Sequence, residues 1–238
     1  APPVLLSNSL GTDHSMWGPQ VKSLAGKFQI LSYDARGHGT SDAPDGDYSI
    51  ERLALDVLDI ADSLGWSRFN MAGVSLGGML GLWIAQNMPD RLMRVIVANA
   101  APYAGGPAGW VDRIATIRNN GLEAIIDGVA GRWFTPEFAV SHPRLVTHMR
   151  ERMLAGPACG YIGCSSAIAN MDLRPHLADI RTPLLWIAGT EDKLPPLEWV
   201  QSQAAEVPSG EFLTLSAAHL SNLEAQDEFT QIMQNFFL

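Results

Sequence analysis

Cysteine is scarce in this chain, with 2 in 238 residues. Cys159 and Cys164 stand five apart, without the two-residue spacing of a zinc knuckle or a ligand-rich neighbourhood, so they read as small packing residues in a reducing compartment, and no metal is expected. Nowhere does the chain approach the roughly 20 consecutive apolar residues of a membrane span, and its Ala-Pro-Pro start lacks the basic-then-apolar pattern of a signal peptide. A cytoplasmic protein without a membrane partner is expected. Positive charge is also in deficit: 16 Lys and Arg against 25 Asp and Glu give a formal charge of −9. Polyanions are held by accumulated Lys and Arg, so a broad nucleic-acid or acidic-lipid surface is excluded, while a local site for a small anion is not. Internal repeats and low-complexity tracts are missing. So is an initiator Met, and because the chain enters a strand almost at once, further residues upstream of Ala1 are expected.

What is present suits one large globular domain or a core with an insertion: 47% of residues are hydrophobic and 17% charged. Val4-Leu5-Leu6 is a strand that ends in the polar loop Ser7-Asn8-Ser9-Leu10-Gly11-Thr12. Trp17, Val21 and Leu24 share one helical face, and residues 28–33 alternate as a strand before the turn-rich Asp34-Ala35-Arg36-Gly37-His38-Gly39. From Ile50 to Leu64 apolar residues recur at helical spacing with acidic residues between them. A strand over 69–74, a helix over 79–88 stopped by Pro89, and a strand over 95–98 follow. Strand and helix alternate, which predicts a mostly parallel sheet covered by helices on both faces. From Tyr103 the rhythm breaks, and amphipathic segments run without a clear strand to about residue 182. The expected organisation is therefore a core over 1–103 and 179–238, with a helical cap over 104–178. Strands over 183–189 and 212–215 and a helix from about Leu223 close the chain.

Gly73-Val74-Ser75-Leu76-Gly77 sits between strand and helix. With 22 glycines in 238 residues, such a pattern arises by chance in roughly one chain in seven, so context must carry it. Here the context is that of a nucleophile elbow: a tight strand-to-helix turn that exposes the serine hydroxyl and offers the Leu76 amide to a developing oxyanion. A serine needs a base, and the base an orienting carboxylate. Asp192 follows one late strand and His219 the last, so Ser75, Asp192 and His219 would meet at one sheet edge; Glu191 is the alternative acid if that turn is read one residue out. His38 precedes the elbow and reads as a brace for its loop. His142, His148 and His176 fall in the insertion, and His14 lies near the first loop without a clear task. The second oxyanion donor is expected in the loop after the first strand, at the Leu10 amide.

These residues resemble the α/β-hydrolase superfamily, and within it the 3-oxoadipate enol-lactonases of aromatic catabolism. The resemblance spans nearly the whole chain. It includes the first loop, where Asn8-Ser9 replaces the His-Gly of many relatives, then residues 33–39, the elbow, Arg132-Trp133-Phe134-Thr135-Pro136, Met171-Asp172-Leu173-Arg174 and Ala218-His219-Leu220-Ser221-Asn222. It implies the α/β-hydrolase fold with the cap inserted after the equivalent of the sixth strand, and an antiparallel hairpin upstream that this chain lacks. It also implies a serine hydrolase acting through an acyl-enzyme on a small anionic lactone, without a cofactor. The substrate carboxylate would lie near Arg132 and Trp133, although a surface or helix-end cation is the alternative reading of Arg132. A carboxylesterase or carbon-carbon bond hydrolase of the same fold, and a ligand-binding protein with incidental turnover, are the competing readings. Homo-oligomerisation is left open.

Overall fold

In the computed structural model, which describes residues 1–193 and 195–238, the near-continuous apolar runs become strands buried on both faces. In chain order the elements are β1 (Pro3–Ser7), α1 (Gly18–Leu24), β2 (Gln29–Ser32), α2 (Ile50–Ser63), β3 (Phe69–Val74), α3 (Leu76–Asn87) and β4 (Leu92–Ala98). Helices α4 (Pro107–Asn120), α5 (Ile126–Ala130), α6 (Pro136–Ser141), α7 (Pro143–Ala155) and α8 (Ala158–Asn170) follow without an intervening named strand. The chain then returns through β5 (Leu184–Gly189), α9 (Leu197–Ala204), β6 (Gly210–Leu215), α10 (Ser221–Glu224) and α11 (Gln226–Phe237). No helix among the described residues is long and apolar enough to cross a membrane.

The strands pair in parallel in the order β2-β1-β3-β4-β5-β6. From β1 the chain steps to β2 on one side, then returns to β3 on the other. Right-handed crossovers therefore place α1 on one face and α2 and α3 on the opposite one. The packing agrees, since α1 lies against α11 and α2 against α3. In such a sheet the loops leaving β1, β3, β4, β5 and β6 all emerge at one edge, and the crevice opens where the chain reverses direction, between β1 and β3.

Local chemistry explains the element ends. The Ser49 hydroxyl accepts from the Arg52 amide at 3.0 Å and starts α2, whose Leu53, Val57, Leu58 and Ala61 are buried. Helix α3 begins at Leu76, three residues before its apolar run predicts, because Gly77 and Gly78 are weak helix formers held in place by close packing instead. Strand β4 reaches back to Leu92. The terminal helix is split at Ala225 into α10 and α11.

The insertion is closed at its base by an antiparallel bridge between Tyr103 and Asp172, and α8 fastens it to the core. A Cβ on Gly160 would lie 2.3 Å from Gly37 Cα, so the two backbones touch. Beside this contact the Tyr48 amide donates to Gly163 O at 3.2 Å, and Ser166 Oγ donates to Asp47 at 2.7 Å. Gly160→Ala is expected to force the seam apart at a cost of about 2 kcal/mol, lowering Tm by several degrees in calorimetry. Gly109→Ala, in the first turn of α4 with nothing within 4 Å of an added Cβ, is the control and should be neutral or stabilising. Equal effects of the two substitutions would show that α8 does not depend on the contact.

Candidate active site

Ser75 lies between β3 and α3 at φ 54 and ψ −114, outside the conformations a serine adopts without strain. Its neighbours enforce this. A Cβ on Gly73 would stand 2.1 Å from the Gly77 carbonyl carbon, and one on Gly77 would stand 2.2 Å from Ser7 O. The two glycines thus let β3, the start of α3 and the end of β1 approach within backbone contact. The Ser75 amide donates to Ala98 O at 2.8 Å, tying the turn to β4 as well.

His219 follows β6, and its Nδ1 lies 2.8 Å from Asp192 Oδ2. An ionised carboxylate only accepts, so Nδ1 carries the proton and Nε2 is left basic. Asp192 is the better shielded partner, with its side chain 8% exposed against 20% for His219. Glu191 is exposed and its amide is spent on Ala217 O, so the carboxylate brought to His219 is that of Asp192. His142, His148 and His176 are exposed on the insertion and its return segment.

Asn99, at the end of β4, was not singled out by sequence reasoning. It is left-handed at φ 47, and its Nδ2 donates to the same Asp192 oxygen at 3.0 Å and to Ala218 O at 3.1 Å. Its Oδ1 accepts from Ser221 Oγ at 2.5 Å, which fixes the amide orientation. The available signal was positional: Asn99 is a polar residue ending a buried strand, as Asp192 nearly is.

The loop after β1 is held by its own hydrogen bonds. Gly77 N donates to Asn8 O at 3.0 Å, Thr12 N to Ser9 O at 3.1 Å, and Gly11 N to His38 Nε2 at 2.9 Å. The amides of Leu10 and Leu76 are left without an acceptor among the described residues, which makes them available to a third party. Since His38 Nε2 accepts from an amide and its Nδ1 faces Arg36 O at 3.2 Å, the imidazole is the neutral Nδ1–H form. Burial holds its pKa below the ordinary value, against the Arg36 hydrogen bond and the charges of Asp34 and Asp13.

Asp13, His14 and Asp34 bring three ligand atoms within 4.8 Å of one another. Their oxygens are already engaged. Asp34 accepts from the His14 and Thr40 amides, each at 2.9 Å, and Asp13 accepts from the Ser15 amide and from Arg152. Burial opposes ionisation of Asp34, but these amide bonds outweigh it and hold its pKa at about 2. The group reads as a brace for the loop.

Ser9, Leu10, Ser75, Asn99, Asp192 and His219 all line one cavity of about 600 Å³. Its remaining wall comes largely from the insertion. Trp133 is buried against it, and Arg132 is half-buried, without a salt-bridge partner among the described residues. Burial and then the like charge of Arg113 hold the Arg132 pKa below its usual value. Arg113 lines the same cavity and lies 5.1 Å from the Trp110 ring centroid. Sequence reading passed over Arg113, although its spacing of three from Trp110 puts both on one helical face. In a chain of charge −9, two neighbouring guanidinium groups concentrate positive charge on this cavity.

The chain belongs to the alpha/beta hydrolase family, which it matches over residues 4–232. Among proteins of known name it is similar to 3-oxoadipate enol-lactonase 2 of Acinetobacter baylyi, with 36% identity over 98% of this chain and 87% of that protein. It is also similar to a provisionally named carbamate hydrolase, RutD, of Serratia proteamaculans, at 29% identity over 100% of this chain and 91% of that protein. Among solved structures, the enol-lactonase from Burkholderia xenovorans LB400 superposes with a TM-score of 0.96 at 40% identity, covering 99% of this chain and 91% of that one.

His38 generates a pH prediction. Its folded pKa lies below the unfolded value of about 6.5, so the unfolded chain binds a proton first as pH falls. The stability it contributes is complete above that value and is lost as pH drops toward the folded pKa. Tm should therefore fall between pH 7 and pH 5, and His38→Gln should flatten that limb. Parallel curves for the two proteins would remove His38 as the titrating group.

Proposed function

We propose that this chain is a serine hydrolase that opens 3-oxoadipate enol-lactone to 3-oxoadipate. The observation that carries the reading is the pair of neighbouring arginines, Arg132 and Arg113, on the cavity that also holds Ser75 and His219. A substrate with a reactive carbonyl and a free carboxylate a few bonds away matches that layout, and the similarity to named enol-lactonases supports it. In this reading residues 1–103 and 179–238 form the catalytic core. Residues 104–178 act as the cap that selects the substrate.

Ser75 Oγ attacks the lactone carbonyl while His219 Nε2 takes its proton, and Asp192, oriented by Asn99, stabilises the imidazolium. The oxyanion is held by the amides of Leu10 and Leu76 at the N-terminus of α3. The ring C–O bond breaks and His219 returns the proton to the departing enol oxygen. That enol tautomerises to a ketone, which removes the group able to close the ring again. Water, deprotonated by His219, adds to the ester on Ser75, and collapse releases the dicarboxylate and restores the hydroxyl. The sequence of steps consumes one water and calls for no cofactor. The partner is a small anionic lactone, with no nucleic acid or membrane surface involved.

The deciding measurement is kcat/KM on freshly generated enol-lactone beside neutral aryl esters and a carbamate. The lactone is expected to be preferred by at least two orders of magnitude, and faster turnover of either rival class would sink the lactonase reading. Ser75→Ala should abolish turnover and fluorophosphonate labelling with little change in Tm. Arg132→Ala should raise KM for the lactone about tenfold while sparing neutral esters. Asn99→Ala, which strips one charge-assisted hydrogen bond from Asp192, should lower kcat on the order of tenfold on every substrate. Unchanged kcat would remove Asn99 from the machinery.

A further inference from the structure

The loop bearing His219 and the insertion segment bearing Arg132 are hydrogen-bonded to each other. His219 N donates to Arg132 O at 3.3 Å and Leu220 N to Trp133 O at 2.9 Å. Across the same junction lies one carboxylate, Glu224, at the end of α10. One of its oxygens accepts from the Ala218 amide at 2.8 Å, immediately before His219. The other accepts from the Thr135 amide at 3.1 Å and from the Thr135 hydroxyl, which also caps α6, and the same Thr135 amide reaches the first oxygen at 3.3 Å. Glu224 has no salt-bridge partner among the described residues. A half-buried carboxylate held only by neutral donors has its charge matched to those donors, and both oxygens must accept.

We propose that Glu224 is a positioning residue that locks the Arg132 segment to the His219 loop, so that recognition of the substrate's anion and placement of the base are set by one frame. The anion half of this rests on the lactonase reading. The base half does not, because the Ala218 bond acts on His219 whatever the acyl group is. A neighbouring carboxylate with a looser task would not bridge two chain segments through backbone amides on both sides.

Glu224→Gln tests it. The amide side chain has one acceptor oxygen: placed toward Ala218 N it turns an NH2 donor toward the Thr135 amide and hydroxyl, in place of the oxygen that accepts from both, and only the longer Thr135 N contact is left. For the enol-lactone, kcat should fall and KM rise, with kcat/KM down about tenfold or more at a temperature well below Tm. For a neutral aryl ester only kcat should fall. In the Glu224→Gln, Arg132→Ala double variant the losses on the lactone should be less than the product of the single losses, as expected of residues acting through one frame. Should Glu224→Gln fold poorly, Thr135→Val removes the hydroxyl from the insertion side, and Thr135→Ser, which keeps it, should restore activity. A lowered Tm with unaltered kcat and KM, or strictly multiplicative losses, would overturn the proposal. Failure of the lactonase reading would look different: no preference for the lactone and no KM effect of Arg132→Ala, with the aryl-ester kcat still lowered by Glu224→Gln.

Discussion

The backbone of Ser75 is the constraint on which the rest of the architecture converges. A serine at φ 54 is held there only because β1, β3, β4 and the first turn of α3 meet at backbone distance around it, through the bare faces of Gly73 and Gly77 and the bond from Ser75 N to Ala98 O. Strain of this kind costs of order 1–3 kcal/mol, and the surrounding apolar sheet supplies it. In return Ser75 lines the cavity, and the first amide of α3, that of Leu76, is left without an acceptor among the described residues. The strands determine where the serine is, and the loops at their ends determine what surrounds it.

Two kinds of polar support act on that space. Asn99, Ser221 and Glu224 work from behind His219 and Asp192, fixing orientation through bonds whose donors and acceptors are all assigned. His38 works on the other side, holding the first loop through a neutral ring nitrogen. Each is a short-range device, which suits a molecule whose overall charge is negative. Arg113 and Arg132 set positive charge beside the cavity despite the acidic surface, and neither has a salt-bridge partner among the described residues.

Much of this was legible in the sequence, for physical reasons. Buried parallel strands must be continuously apolar, so β3 and β5 announce themselves, and the amphipathic α2 is equally plain. The fold class followed from their alternation. That Ser75, Asp192 and His219 converge on one cavity was legible because each follows a strand, and a parallel sheet sends all strand ends to one edge. Trp133 and Arg132 came from the likeness of one segment to a family and do lie at the cavity. What stayed hidden depends on distance between remote segments. Glu224 is a surface-like residue in an acidic helix until Thr135 is folded beside it. Asn99 resembles an ordinary strand-end turn residue until its φ is known. The start of α3 was misplaced because Gly77 and Gly78 weaken the helical signal where packing demands them.

The meeting of Gly37 and Gly160 has a consequence for descent and for engineering. Neither position can acquire a side chain while the other keeps its backbone where it is, so the two behave as one heritable unit although more than a hundred residues separate them. The insertion is therefore not a freely exchangeable module. A helical segment transplanted between β4 and β5 from another protein of this fold would have to bring a glycine to face Gly37. Drift on one side of that seam is licensed only by the sequence already present on the other.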